Sequence, residues 1–234
     1  MWTFLDSGKK SALENMALDG KLLDELSSEG AALLHFYDWE GLSATYGYFT
    51  KVEELLDKEA VEDLGLRLAR RPTGGGVIFH VTDLAFSVLV PACHEGFSDN
   101  TLDNYNYVNR KVLLAVKGVL KETGLELLAQ DPVAKEAKAA KFCMAMPTIY
   151  DVMLGDRKVA GAAQRKRKQG FLHQGSIALA LPGRNFLEKL LPPEVVEAMH
   201  LYTYPLLQQG SSQEAIQEMR LVMRKHLQQI FLEG

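Results

Sequence analysis

The sequence predicts a single α/β domain over residues 1–234. Segments with helical periodicity alternate along the chain with segments rich in β-branched and apolar residues, a pattern typical of mixed helix and sheet architectures. No internal repeat and no linker rich in Pro or Ser interrupts this alternation. We therefore expect one hydrophobic core and no separate C-terminal accessory domain.

The composition argues against a membrane protein, a general nucleic-acid binder and a metalloprotein. Of the 234 residues, 47% are apolar and 24% are charged, and the formal net charge is −4. No apolar run approaches the roughly 18 residues that span a bilayer, and the N-terminus lacks the basic start and apolar stretch of a signal peptide. The cysteines are Cys93 and Cys143, and Cys93 with the adjacent His94 lacks further ligands at metal-site spacing. We expect a cytoplasmic protein with reduced thiols and no metal.

A capping box starts the first predicted helix. Ser11 and Glu14 have the required spacing, and an apolar helical face follows as far as Gly30. That face comprises Leu13, Met16, Ala17, Leu23 and Leu26. Residues 31–37 and 43–49 then have strand composition, and the DWEG sequence between them predicts a turn.

Three glycines lie between the next predicted strands. The VEELL run after Lys51 favours a helix, and residues 66–71 favour a strand. Residues 77–90 are rich in apolar and β-branched residues. Gly74 to Gly76 should therefore connect two paired strands and be held by a sheet.

The second half of the chain is predicted as a long helix, a three-strand meander and a final helix. Residues 101–123 form the long helix, with Gly124 as its C-cap. Its apolar positions are Val108, Val112, Ala115, Val116 and Val119. The meander strands are residues 151–154, 158–164 and 171–180, with GD and RKRKQG as turns. Ser211 and Glu214 repeat the capping-box spacing before a helical face of Ile216, Met219, Met223 and Leu227.

The segment RRPTGGGVIFH, residues 70–80, combines two cations with three consecutive glycines. Glycine loses more entropy on folding than any other residue, so a run of three indicates a sharp turn or a close approach of backbone to a ligand. A tight hairpin or bulge explains the run as readily as a binding loop does. The neighbouring motifs favour the binding loop.

Several motifs occur in a fixed order along most of the chain. They are RRPTGGG followed by His80, GDRKVAGAAQ at 155–164 and FLHQGSIAL at 171–179, preceded by DSG at 6–8, NMALDG at 15–20 and HFYDWEGLSATYGYF at 35–49. Together they resemble the lipoate and octanoate branch of the biotin/lipoate protein ligase superfamily. The resemblance implies one catalytic domain with a mixed, mainly antiparallel sheet flanked by helices, and a first hairpin at residues 35–49.

Within that superfamily, Cys143 decides the predicted chemistry. The segment FCMAMPTIYD, with Pro147, Thr148, Tyr150 and Asp151 after the cysteine, is similar to that of cysteine-dependent octanoyltransferases. The resemblance implies that Cys143 carries the acyl group as a thioester and that Lys158 stabilises the thiolate or the oxyanion formed during attack. A small buried hydrophobic role is the alternative for an arbitrary cysteine.

The resemblance also implies the acyl-binding residues. Gly74, Gly75 and Gly76 would line the acyl tunnel, with Arg70 flanking it, and His80, Gly161 and His173 complete the set. His80 and His173 are also candidates by position for the base that deprotonates an acceptor amine, and each is equally consistent with a structural histidine.

The implied partners are an acyl carrier protein or another acylated donor protein, and an acceptor lysine on a lipoyl domain or a glycine-cleavage H-type protein. No residue separates a thioester donor from an amide donor, or octanoyl from lipoyl transfer. The RKRK run at 165–168 favours a solvated hairpin tip or a docking patch for an acidic partner. Residues 134–141, AKEAKAAK, favour a helix or a mobile lid.

Two other functions remain open. An ATP-dependent lipoate ligase would use the same pocket to bind ATP and Mg²⁺, and Gly76 favours it because several cysteine transferases carry a bulkier residue there. Cys143 counts against it, since adenylation needs no cysteine. A non-catalytic protein that binds an acylated domain would retain the fold without turnover. The transferase, which needs no cofactor, accounts for both Cys143 and Lys158.

Overall fold

The computed structural model describes residues 1–130 and 141–233. Most of the AKEAKAAK segment lies outside these residues. The strands are β1 (Trp2–Lys10), β2 (Ala32–Trp39), β3 (Ser43–Tyr46), β4 (Arg67–Arg70), β5 (Ile78–Phe79), β6 (Asp83–Pro91), β7 (Leu125–Leu127), β8 (Val152–Leu154), β9 (Arg157–Arg167) and β10 (Gly170–Ala178). The helices are α1 (Ala12–Asp24), α2 (Lys58–Asp63), α3 (Thr101–Val119), α4 (Arg184–Leu190), α5 (Pro193–Tyr202) and α6 (Gln213–Leu232).

Two sheets organise the described part of the chain. The main sheet has seven strands in the order β1-β2-β6-β10-β9-β8-β7, and only the β1–β2 pair is parallel. The small sheet has three strands in the order β4-β3-β5. These pairings confirm the predicted mixed, mainly antiparallel architecture flanked by helices.

The two largest apolar clusters lie on different sheets. The first packs the main sheet against α3 and α6 and includes Phe86, Phe171, Val112 and Met223. The second packs the small sheet against α4 and α5. None of the helices in the described residues combines the length and apolarity that a bilayer crossing demands.

The α1 cap is confirmed, but the predicted apolar face of α1 is confirmed only in part, at Met16 and Leu23. The Ser11 hydroxyl accepts the Glu14 N–H at 3.3 Å, and the Glu14 carboxylate accepts the Ser11 N–H at 3.0 Å. Leu13 is 70% exposed, and Ala17 is also exposed. The buried side consists of Ala12, Asn15, Met16, Asp19 and Leu23. The polar residues Asn15 and Asp19 face inward because β2 supplies hydrogen-bond partners for them. One example is His35, whose Nδ1 lies 2.9 Å from Asp19 Oδ1.

The predicted first hairpin does not form. β2 pairs with β1 and β6 in the main sheet, whereas β3 pairs with β4 and β5 in the small sheet. The DWEG segment therefore carries the chain from one sheet to the other. Only Val52–Glu54 of the VEELL run is helical, as a single 3₁₀ turn, and α2 begins after an Asp57 cap.

The glycine run is held by a sheet, but not between strands that pair with each other. β4 before it and β5 after it both pair with β3, on opposite edges of that strand. The backbone must cross over β3 between these two edges. The three glycines allow this crossing next to a second segment of chain.

Smaller boundary predictions also change. α3 ends at Val119 with an extended Leu120 cap, so Gly124 is not its C-cap. The cap of α6 is Ser212 rather than Ser211, with Ala215 N–H donating to its hydroxyl at 3.2 Å. The meander of β8, β9 and β10 is confirmed. Most of the RKRK run belongs to β9, which leaves Lys168 and Gln169 at the turn.

Candidate active site

A cavity of about 430 Å³, open space at its mouth included, lies between the two sheets. Small and apolar side chains from α1, β5, β6 and β9 form much of its wall. The wall also carries Arg71, His80, Cys143 and Lys158. The structure therefore brings together Cys143, Lys158, His80 and Gly161 of the residues predicted for the site.

The glycine run lies directly against the cysteine segment. Val77 N–H donates to the Lys141 carbonyl at 2.8 Å, and Cys143 N–H donates to the Val77 carbonyl at 3.0 Å. A Cβ on Gly76 would lie 1.9 Å from the Lys141 carbonyl oxygen, which is sterically excluded. Gly75 has a φ of +86°, and a Cβ there would lie 3.5 Å from Cys143 Sγ. Both positions require glycine, whereas a Cβ on Gly74 would meet open space.

Arg71, rather than Arg70, contributes the guanidinium that faces the cysteine. Its Nη1 donates to the Thr45 carbonyl at 3.0 Å, and its Nη2 donates to the carbonyls of Gly74 and Gly76 at 2.9 Å. Arg71 Nη2 also lies 3.9 Å from Cys143 Sγ. No carboxylate pairs with this buried cation among the residues described. The Arg70 side chain is exposed and lies over an aromatic ring outside the cavity.

Lys158 holds the backbone of Cys143. Its Nζ donates to the Cys143 carbonyl at 2.8 Å and pairs with Asp151 Oδ2 at 2.7 Å, and both side chains are nearly fully buried. Asp151 Oδ2 also accepts the Thr148 N–H at 2.7 Å. Burial raises the pKa of Asp151, and the Lys158 ammonium opposes that rise. Gly161 is needed beside this pair because a Cβ there would lie 2.2 Å from Lys158 Cε.

His80 connects a buried carboxylate to the arginine site. Its Nδ1 lies 2.8 Å from Asp83 Oδ2, and its Nε2 lies 2.8 Å from Thr45 Oγ1. Arg71 Nη1 donates to the same Thr45 oxygen at 2.9 Å, so this hydroxyl links the imidazole to the guanidinium. Its face stacks on Trp39 at 4.0 Å between ring centroids.

His173 is not part of the cavity wall. It is fully buried, and its Nδ1 lies 2.8 Å from Gln164 Nε2. Burial lowers the pKa of His173 to about 3, which leaves the ring neutral at pH 7. Of the two histidines predicted for the site, only His80 lines the cavity.

A second group of polar residues was not singled out by the sequence, and two of its members, Tyr37 and Gln174, line the cavity. Gln174 Nε2 donates to Asp19 Oδ2 at 2.6 Å, and the Thr73 hydroxyl donates to Gln174 Oε1 at 2.7 Å. The Ser87 hydroxyl also donates to Asp19 Oδ2 and lies 3.2 Å from the Tyr37 hydroxyl. Burial, with the nearby Asp19 charge, raises the pKa of Tyr37. Asp19 and Gln174 both lie in the motifs quoted above, but only the fold shows that they meet.

The fold and the cavity define an α/β domain with a cysteine beside a buried arginine on a largely apolar cavity wall. The family model described as "Lipoyl protein ligase A/B catalytic domain" matches residues 11–200. That match covers well over half of the chain. The chain therefore belongs to the lipoyl protein ligase A/B catalytic domain family.

Curated relatives that match this chain are named octanoyltransferase LipM. The protein of Anoxybacillus flavithermus is 36% identical over 189 residues, which cover 77% of this chain and 66% of that protein. The protein of Bacillus subtilis is 32% identical over 199 residues, which cover 82% of this chain and 70% of that protein. The chain thus spans about two thirds of the length of these relatives.

Solved structures share the fold at lower sequence identity. The bipartite lipoate protein ligase of Thermoplasma acidophilum, described with its E2 lipoyl domain, matches with a TM-score of 0.69 and 20% identity. The match covers 98% of this chain and 84% of that chain. A lipoate-protein ligase A bound with ATP matches with a TM-score of 0.69 and 21% identity, over 98% of this chain and 85% of that chain.

Proposed function

We propose that this protein transfers an octanoyl or lipoyl group through a thioester on Cys143 to a specific lysine of an acceptor domain. The observation that carries the proposal is the position of Cys143 Sγ, 3.9 Å from a buried guanidinium on the wall of a largely apolar cavity. An apolar cavity suits an eight-carbon chain, and a cation beside the thiol suits a nucleophile. The octanoyltransferase relatives support the same function.

The first half-reaction exchanges one thioester for another. The Cys143 thiolate attacks the acyl carbonyl of the donor, a bond forms between carbon and Sγ, and the bond to the donor sulfur breaks. The donor thiolate leaves and takes a proton from solvent. Because the bond broken and the bond formed are of the same type, the step is nearly isoenergetic and needs neither ATP nor Mg²⁺.

The second half-reaction forms an amide. The acceptor amine, after losing a proton, attacks the enzyme thioester, a bond forms between carbon and nitrogen, and the bond to Cys143 Sγ breaks. An amide is more stable than a thioester, so this step drives the overall transfer. The acceptor is a lipoyl domain or an H-type protein, and the donor is an acyl carrier protein or another acylated protein. We place the reaction in the cytoplasm and within one catalytic domain over residues 1–234.

Arg71 and Lys158 have different roles in this mechanism. Arg71 faces Sγ directly and stabilises the thiolate by charge. Lys158 is paired with Asp151 and donates to the Cys143 carbonyl, so it fixes the cysteine backbone during both half-reactions. Gly75 and Gly76 allow the loop to lie against the cysteine. His80 is a positioning residue that orients Arg71 through Thr45.

Intact mass spectrometry tests the proposal. The wild type, Cys143→Ser and Cys93→Ser are each incubated with octanoyl carrier protein without ATP, and an unmodified lipoyl domain is then added. We expect a hydroxylamine-labile octanoyl adduct on the wild type and on Cys93→Ser, passed to the lipoyl domain, and none on Cys143→Ser. Cys93 is the matched control because it is exposed and outside the cavity. Modification that needs ATP, Mg²⁺ and free lipoate, with Cys143→Ser fully active, would establish a ligase instead.

A further inference from the structure

A cluster of arginine and aromatic side chains lies outside the cavity, with Tyr48, Phe49 and Arg70 exposed and Arg165 half-buried. The guanidinium carbon of Arg70 lies 4.9 Å from the ring centroid of Tyr48, and that of Arg165 lies 5.1 Å from the same centroid. Phe49 packs edge-on against Tyr48 at 5.1 Å and is 89% exposed. We call Tyr48, Phe49, Arg70 and Arg165 the arginine–tyrosine rim.

The rim is bonded to the loop that covers Cys143. Tyr48 N–H donates to the Thr73 carbonyl at 2.8 Å, and Arg165 Nη1 donates to the Pro72 carbonyl at 2.9 Å. Gly75 follows two residues after Thr73 in this loop. A Cβ on Gly75 would lie 3.5 Å from Cys143 Sγ. One side of the loop therefore carries the rim, and the loop approaches the thiol a few residues further on.

The positive charge of the rim is not compensated locally. Neither Arg70 nor Arg165 pairs with a carboxylate in the described part of the chain. Their neighbours on β9 differ, since Lys166 pairs with Asp99 at 3.1 Å and Arg167 with Asp24 at 3.2 Å. The whole chain carries a formal charge of −4, so two unpaired guanidinium groups around an exposed aromatic pair form a distinct local patch.

We propose that the arginine–tyrosine rim docks the acceptor domain through an acidic surface around its target lysine. The inference rests on the proposed function. An acceptor lysine has a four-carbon stem, so the acceptor backbone must come within one side-chain length of the Cys143 thioester and must contact the surface beside it. A donor that presents its acyl group on a long flexible arm has no such constraint. Arginine and aromatic residues are also the types that dominate binding energy at protein interfaces.

Charge reversal with a matched control tests the rim. The variant Arg70→Glu with Arg165→Glu is compared with Arg167→Glu with Lys168→Glu, which changes the net charge equally at the adjacent hairpin end. Each protein is first loaded to completion with octanoyl carrier protein. Transfer is then measured to an unmodified acidic lipoyl domain and, separately, to Nα-acetyl-lysine amide, which has the same amine but no domain.

For the rim variant we expect the KM for the lipoyl domain to rise on the order of tenfold, because rim charges act on encounter rates. The rate with Nα-acetyl-lysine amide should fall far less, and the wild-type advantage for the domain should shrink as salt rises. Three results would overturn the rim as the acceptor site. The first is an equal loss of transfer rate with both amines, and the second is an equal loss in the control variant. The third is slower loading from the carrier protein in place of slower transfer. Absence of any acyl-enzyme in the wild type would instead overturn the proposed function, and the rim inference with it.

Discussion

At the scale of single residues, Arg71 is the side chain on which the account of reactivity depends. Four carbonyl or hydroxyl oxygens hold the guanidinium in place, namely Thr45 O and Oγ1 and the carbonyls of Gly74 and Gly76. A guanidinium can make these bonds and still face a thiolate because it has five donors in a fixed plane. A lysine ammonium has three donors and cannot replace it.

Arg71→Lys should therefore slow acyl-enzyme formation on the order of 100-fold, as for the loss of one preorganised donor at a reacting centre. It should also slow alkylation of Cys143 by iodoacetamide at pH 7, which a purely structural role would not require. The control is Arg67→Lys on β4, the strand that ends just before Arg71, because the Arg67 guanidinium is exposed and pairs with Glu40. Unchanged alkylation of Cys143 in a folded Arg71→Lys protein would contradict the role given to Arg71.

The buried pair of Lys158 and Asp151 makes a second prediction. Asp151→Asn leaves the Lys158 ammonium buried without a counter-charge and should lower the free energy of unfolding by about 3–5 kcal/mol. Lys158→Met should also destabilise, and the double variant should lose less than the sum of the two. Urea unfolding of the three variants measures this coupling. Additive losses would mean that the two residues do not act as a pair.

His173 makes a prediction about pH. Its pKa is about 3 in the folded protein because of burial, against about 6.5 in an unfolded chain. The unfolded state therefore binds the extra proton first, and folded-state stability falls as pH drops from about 6.5 towards 3. Relative to His173→Asn, the free energy of unfolding of the wild type should fall by roughly 1.4 kcal/mol for each pH unit in that window. Urea unfolding midpoints at pH 7 and pH 4.5 measure this difference, with His226→Asn as the control. An equal change of stability with pH in the wild type and in His173→Asn would refute the prediction.

At the scale of elements, the contact between the glycine loop and the cysteine segment positions the nucleophile. Gly76→Ala would place a Cβ 1.9 Å from the Lys141 carbonyl oxygen, so the cysteine segment must move. We expect a loss of stability of about 1–3 kcal/mol and a large loss of acyl-enzyme formation. The Cβ added by Gly74→Ala meets open space. Gly74→Ala should therefore retain at least tenfold more activity than Gly76→Ala, a rate difference that corresponds to about 1.4 kcal/mol of activation free energy. Equal activities would show that the loop does not position Cys143.

Several elements set by local sequence were predictable, although the Gly124 and Ser211 caps were not, whereas pairings set by distant sequence were not predictable. The Ser11 cap of α1 and the strands of the meander depend on residues a few positions apart, and the structure confirms both. The predicted hairpin of β2 and β3 failed because each strand finds partners far along the chain. The predicted apolar face of α1 was only partly right for the same reason, since Asn15 and Asp19 are buried only where the fold supplies hydrogen-bond partners.

At the scale of the whole molecule, two sheets meet around one cavity and bring together residues separated by more than 100 positions. Thr73 and Gln174, 101 positions apart, bond at 2.7 Å, and Arg71 faces Cys143 across 72 positions of sequence. Motif resemblance named Cys143 and Lys158, but it assigned the cation beside the thiol to Lys158 and the arginine role to Arg70. Only the folded chain distinguishes Arg71 from its neighbour, because Arg70 ends β4 with an exposed side chain whereas Arg71 follows the strand and is buried.

The most direct test of the central claim is single-turnover transfer from isolated enzyme. Enzyme carrying a labelled octanoyl group on Cys143 is purified free of donor and mixed with unmodified lipoyl domain without ATP or Mg²⁺, and both proteins are sampled by rapid quench. The account predicts that label leaves the enzyme at the rate at which it appears on the acceptor lysine. Label that stays on the enzyme while the domain is modified only after fresh donor or ATP is added would contradict it.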